Sequence, residues 1–239
     1  MKFIEAKVKC VFFVFLVLVS IGPFNFVRAE NSPPSSDGSL KQPSGLAVDK
    51  AGNIYVGEWF SGFIKVFSPQ GHFLRKFGGP GSAPGEFKGL IKLAINNSGI
   101  LYAVDQRNHR IQKFDLQGHY LGQWGHAMSN FMGNIKPAEF RSLTGIAVDS
   151  SNNVYVADGD AGGIQKFDAD GNFLLKWNPR QISTKGSNNP EEIAVDAAGH
   201  LYVTCGEDIV QEFDGSGNFL GSWGGPGTGD GQFSFLDGK

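Results

Sequence analysis

One phrase recurs four times along this chain and constrains its fold more than any other feature. Residues 45–49 read GLAVD, 92–96 KLAIN, 145–149 GIAVD and 192–196 EIAVD. The closing Asp or Asn stands at 49, 96, 149 and 196, so successive copies lie 47, 53 and 47 residues apart. A unit of that length is a single supersecondary element that cannot bury its own apolar face, so neighbouring copies must supply the core.

The copies agree well beyond the first phrase. A second apolar run follows each one (IYV from Ile54, ILYAV from Ile100, VYV from Val154, LYV from Leu201). A third follows that (IKVF from Ile64, IQKF from Ile111, IQKF from Ile164, VQEF from Val210), and then a fourth (FLRKF from Phe73, YLGQW from Tyr120, FLLKW from Phe173, FLGSW from Phe219). Short runs rich in Val, Ile, Tyr and Phe, separated by Gly, Asn and Asp, predict a four-stranded antiparallel meander. No segment after residue 29 carries a sustained helical period. The turns follow one rule: Asp49, Asn96, Asp149 or Asp196 bonds its own backbone two residues on, and Gly52, Gly99, Asn152 or Gly199 follows three residues later, where positive φ is expected. Ser68, Asp115, Asp168 and Asp214, with Gly71, Gly118, Gly171 and Gly217, repeat the rule between the third and fourth strands. Much of the glycine content, 34 residues in 239, is therefore turn chemistry.

A repeated four-stranded sheet of this size predicts an all-β propeller. The pattern GLAVD-x-x-GNIYV…IKVFS-x-x-G-x-FL-x-x-FG resembles the NHL repeat, over roughly residues 43–224. That resemblance implies first strands lining a central channel, fourth strands facing outward, and commonly six blades. The expected division is blade 1 over 43–90, blade 2 over 91–143, blade 3 over 144–190 and blade 4 over 191–224. Residues 225–239 repeat the linker that follows blade 1 (GGPG then GQF, against GGPG then GEF) and open a fifth unit. Four complete repeats with the start of a fifth imply an open arc or a fragment of a larger propeller. An open arc exposes two apolar sheet faces and favours self-association.

The N-terminus differs in kind. Lys2, Lys7 and Lys9 precede an apolar run from Cys10 to Val19, and Val27-Arg28-Ala29 offers small residues for cleavage, which is the pattern of a secretory signal over 1–29. The run is short for a membrane span, although an N-terminal anchor is the alternative. A Pro/Ser-rich lead-in fills 30–42. The expected location is secreted or extracytoplasmic, with no membrane span in the mature chain. Removing the signal takes away a net charge of +3 and leaves about −5, a mildly acidic body without the basic face that nucleic acid requires. It also leaves Cys205 alone, so no internal disulfide is possible.

Function is expected where the copies disagree. The loops between second and third strands read GEWFSG, DQRNHR, DGDAGG and CGED, and they share a face with the connections between blades. Loops that vary on a rigid scaffold are the usual place for binding. The candidate ligand contacts are Glu58, Trp59 and Phe60; Arg107, His109 and Arg110; Asp158 and Asp160; and Glu207 and Asp208. Phe131 and Met132 join them from the connection between blades 2 and 3, the longest of the three. The alternative for the aromatics is local packing, and for the charges ordinary solvation. A protein or peptide is the expected partner, with a small polar ligand also possible.

Catalytic signatures are thin. Of five histidines, His72, His119 and His200 hold turn positions where other copies carry Asn, and the remaining two do not make a zinc site. Residues 168–172 resemble the start of a calcium loop but lack its glutamate. No catalytic residue, metal or cofactor is predicted. The competing expectation comes from resemblance. Six-bladed relatives include metal-dependent peptidyl-amide lyases and lactonases, and NHL repeats also serve as the recognition part of TRIM-type ubiquitin ligases.

Overall fold

A computed structural model describes residues 38–129, 136–160, 163–179, 189–206 and 208–233. These belong to one compact unit, Pro33–Lys239. The predicted signal, most of the lead-in and the predicted contacts Phe131, Met132 and Glu207 lie outside the described residues.

The period-2 runs form four antiparallel sheets, each a meander in chain order. Blade 1 holds β1 (Pro43–Val48), β2 (Ile54–Glu58), β3 (Phe63–Phe67) and β4 (Phe73–Gly78). Blade 2 holds β5 (Leu90–Ile95), β6 (Ile100–Asp105), β7 (Arg110–Asp115) and β8 (Tyr120–Trp124). A two-residue parallel pair follows, β9 (His126–Ala127) with β10 (Glu139–Phe140). Blade 3 holds β11 (Leu143–Val148), β12 (Val154–Asp158), β13 (Gly163–Phe167) and β14 (Phe173–Trp177). Blade 4 holds β15 (Pro190–Val195), β16 (Leu201–Cys205), β17 (Ile209–Phe213) and β18 (Phe219–Gly224). The helical content of the described residues is one 3₁₀ turn, Gln106–Asn108, and none of their helices is long and apolar enough to cross a membrane.

First strands of successive blades adjoin, and the meander carries each sheet outward from them. The second and third strands carry most of the buried side chains, while the fourth strands hold only exposed and half-buried positions. The turns obey the predicted rule. Asp49 Oδ1 accepts the Ala51 and Asn53 N–H groups at 2.9 and 2.8 Å, and the equivalent Asn96, Asp149 and Asp196 do the same. Asn152 sits at φ 64°, the left-handed conformation that Gly takes in the other copies.

Blades interlock through aromatic side chains. Phe77, Trp124 and Trp177, each near the end of a fourth strand, pack against Phe114, Phe167 and Phe213 of the following blade, with ring centroids 5.5, 5.5 and 6.1 Å apart. Each of the three also covers the turn glycine of that blade, Gly118, Gly171 or Gly217, where a Cβ would lie within 3 Å of the ring. Glycine is thus required there for close approach as well as for positive φ. Between blades the linker folds into a clasp that seats one Phe. Phe87 N–H donates to Gly79 O at 2.8 Å and Gly81 N–H to Phe87 O at 3.0 Å. The next blade reads the clasp with a buried glutamine: Gln112 Oε1 accepts Gly85 N–H and its Nε2 donates to Glu86 O, both at 2.8 Å. Gln165 treats Ala138 and Glu139 in the same way at 2.9 Å.

The segment after blade 4 forms the same clasp. Phe233 N–H donates to Gly225 O at 2.9 Å and Gly227 N–H to Phe233 O at 2.8 Å. Phe87 is 1% exposed under blade 2, whereas Phe233 is 40% exposed. Trp223 is exposed beside it, and on the far side of blade 1 so are Leu46 and Val48, the counterparts of Leu93 and Ile95. The described arc is therefore open, with an apolar sheet face at each end.

Candidate functional site

The second strand of each of the first three blades ends in a carboxylate, and the structure turns all three inward. Glu58 Oε1 accepts Lys41 N–H at 2.6 Å, Asp105 Oδ1 accepts Lys88 N–H at 2.7 Å, and Asp158 Oδ2 accepts Arg141 N–H at 2.7 Å; the donor lies 17 residues upstream in every case. Each carboxylate thus pins the backbone that leads into its own blade. Burial works to raise the Glu58 carboxyl, but the Ser61 hydroxyl, the Lys41 N–H and the Lys65 ammonium (3.1 Å from Oε1) outweigh it and hold the group below the usual range. Arg110 is buried with Asp105: its Nε lies 2.8 Å from Oδ2, its Nη1 donates to Gln123, and its Nη2 donates to Ala83 O and Glu86 O. Glu58, Arg110 and Asp158 were expected as loop contacts; they are internal ties, because a charge at the strand end meets unpaired N–H or C=O groups of the neighbouring linker.

Blade 4 carries Cys205 at this position. The thiol is buried, and burial pushes it up to about 12, with the charge of Glu191 adding to the rise. That is an inert thiol at neutral pH.

The other predicted residues separate into two groups. His109 adopts φ 52° and closes the 3₁₀ turn through its N–H to Gln106 O. Asp160 is exposed, and Asp208, at φ 60°, offers its carbonyl to Gly225 N–H at 2.7 Å. These three are not gathered into one site. Trp59, Phe60 and Arg107 are. They line an open cleft of about 430 Å³ at the boundary of blades 1 and 2, together with Pro80, Gly81, Phe87, Lys88 and Gly89 of the intervening linker. Trp59 and Phe60 meet edge to face at 6.3 Å, and the Arg107 guanidinium lies over the Trp59 ring at 5.4 Å. Gly89, at φ 73°, forms the floor between them: a Cβ there would stand 3.3 Å from Arg107 Cγ and 3.4 Å from the Trp59 ring. Phe60 is 64% exposed at the rim.

Lys88 and Gly89 were not singled out from the sequence, although both follow directly on the GEF of a linker assigned to the same face. Also unforeseen is an ion pair between Lys92 of β5 and Glu192 of β15, half-exposed on the first strands and 100 residues apart. Gly145 stands at the equivalent position of the intervening blade, where a Cβ would press on the backbone of Glu192 and Ile193. Among the described residues no three His, Cys, Asp or Glu side chains gather in a way that could hold a metal ion.

Comparison with known proteins extends the fold assignment. The DUF5128 family model, described as a 6-bladed beta-propeller, matches residues 35–136, under half of the chain. No curated protein sequence matches. Among solved structures, a streptogramin B lyase superposes with a TM-score of 0.59 at 14% identity, over 81% of this chain and 56% of that one. The virginiamycin B lyase from Staphylococcus aureus gives 0.56 at 14% identity, over 83% and 57%, and a variant of it has been solved with quinupristin. The WD40 repeats of RRP9 give 0.59 at 15% identity, over 80% and 58%. The chain spans little more than half the length of these structures, and the likeness is one of propeller fold.

Proposed function

We propose that this chain is a binding propeller of the NHL type, exported from the cytoplasm, which captures a protein or peptide ligand without transforming it. The observation that carries the reading is the cleft at the boundary of blades 1 and 2, where Trp59, Phe60 and Arg107 converge from two different loops. Large aromatics with an arginine in a concave site are the composition of interface hot spots. Export rests on the N-terminal sequence pattern alone, and the NHL assignment on the repeated strand and turn motifs. Phe60 is the residue to change, because its exposed ring contributes little to folding. Phe60→Ala should leave thermal unfolding unchanged while weakening ligand capture at least tenfold in a binding assay with the full chain. Equal capture by both proteins would remove the cleft from the reading.

A lyase is the second reading, favoured by the activity of two of the structural neighbours. Incubation with quinupristin followed by chromatography tests it, and turnover that survives removal of free metal by a chelator would set aside the metal-dependent form of that reading.

A further inference from the structure

Resting on the cleft reading above, we propose that the ligand of the Trp59–Arg107 cleft is an acidic peptide, one that places a carboxylate beside an apolar or aromatic side chain. Three observations lead there. Every polar side-chain group on the lining is a donor: the Arg107 guanidinium, the Lys88 ammonium and the Trp59 indole N–H. The lining residues contribute no acceptor side chain, and the Lys88 and Gly89 carbonyls are already taken by the Arg107 and Gln106 N–H groups at 3.0 Å. A ligand that brought only donors would leave its own groups unpaired.

The cations are also free to act. Neither Arg107 nor Lys88 has a carboxylate partner among the described residues. Of the nearby acids, Asp105 is fully buried and spent on Arg110, Asn108 and the Lys88 N–H, and Glu86, whose carboxylate lies against Gly81 on the lining, accepts the Ala83 N–H at 3.0 Å and pairs with neither cation. On a body whose predicted net charge is about −5, two cations without a carboxylate partner line this cleft, one of them over the Trp59 ring. Arg107 is moreover held in place: its aliphatic stem rests near Gly89 and its guanidinium lies over the Trp59 face, which orients the planar fork for a carboxylate.

Size and shape favour a peptide over a small anion. An open cleft of about 430 Å³ exceeds the volume of one carboxylate, and the exposed Phe60 ring at its rim gives an apolar side chain a place to stack. A charge-assisted contact to a partly exposed Arg contributes affinity that falls with ionic strength.

Panning a random 12-residue display library on the full chain tests the proposal. Enriched peptides should carry Asp or Glu next to Phe, Tyr, Trp or Leu. Synthetic copies should bind at least tenfold more weakly to Arg107→Gln and to Lys88→Gln, and the loss should be matched by Asp→Asn or Glu→Gln changes in the peptide. Binding should weaken several-fold between 0.15 M and 0.5 M NaCl. Peptides that depend on Phe60 but carry no acid, or acidic peptides indifferent to Arg107→Gln, overturn the acidic class and leave the cleft reading standing. Peptides indifferent to Phe60→Ala overturn both. An RNA oligonucleotide bound as tightly as the best peptide also overturns the proposal.

Discussion

At the scale of single residues, the strand-end carboxylates show how a charged side chain can serve the fold. Asp105 is fully buried and has four donors around it: Lys88 N–H, Asn108 Nδ2, Arg110 Nε and, more distantly, Gln112 Nε2. Removing it strands a buried guanidinium and a backbone N–H together. Asp105→Ala should therefore cost about 3–5 kcal/mol in urea-induced unfolding, the range for breaking one partner of a buried ion pair. The exposed Asp160→Ala should cost within about 0.5 kcal/mol. Cys205 occupies the same strand-end position in blade 4 with a thiol that burial pushes up to about 12. It should resist alkylation at pH 8 in the folded chain and react at once in denaturant; equal rates in both states would contradict its burial. The sequence shows an acid at this position in three repeats, yet an acid at a strand-to-loop junction looks like a solvated loop charge. Its partner lies 17 residues upstream, so only the folded backbone reveals the contact.

At the scale of the element, the turns were legible because their chemistry is local. An Asp, or in single copies Asn96 or Ser68, that accepts N–H groups two and four residues on, with Gly or Asn three residues on, is written within five positions, and the structure repeats it before every second and fourth strand of the described blades. In two of the third-to-fourth turns an Asn closes the ring: Asn172 Nδ2 donates to Asp168 Oδ2 and Asn218 Nδ2 to Asp214 Oδ2, both at 2.8 Å. These side-chain amides, joined by the backbone N–H groups, hold both carboxyls below the ordinary range. A carboxyl lowered in the folded state stabilises it fully above the unfolded value of about 4, and that stabilisation is lost as pH falls through the folded value. Asn172→Ala should move Asp168 upward toward its ordinary value in a carbon-detected NMR titration and shift the onset of acid unfolding to higher pH. An unmoved Asp168 would show that the backbone donors alone set its acidity. The cleft was half legible for the opposite reason. Trp59, Phe60 and Arg107 stand out as loop residues, but their meeting depends on Gly89 leaving space in a third segment. The Lys92–Glu192 pair joins residues 100 positions apart and has no local trace at all.

At the scale of the whole molecule, one contact is made at each blade boundary and left unmade at the end of the arc. Trp124 and Trp223 hold the same place in their repeats. Trp124 packs on Tyr102 of its own blade at 6.0 Å and on Phe167 of the next at 5.5 Å. Trp223 packs on Tyr202 of its own blade at 5.8 Å and is otherwise 46% exposed. Stability in a stacked repeat is a sum of unit and boundary contributions, so the difference between two equivalent tryptophans isolates the boundary. Trp124→Ala should destabilise the chain by about 2–4 kcal/mol, toward the cost of truncating a buried aromatic. Trp223→Ala should stay within about 1 kcal/mol. The same exposure has a second consequence. An apolar face carrying Trp223 and Phe233, with Leu46 and Val48 exposed at the other end, is the kind of surface from which self-association is predicted. The 239-residue chain should gain mass with concentration in sedimentation equilibrium, and Trp223→Ser combined with Phe233→Ser should reduce that gain. If both tryptophan variants lose equal stability and mass is independent of concentration, the blade 4 face is covered in solution, and blade stacking does not stop where the described arc does.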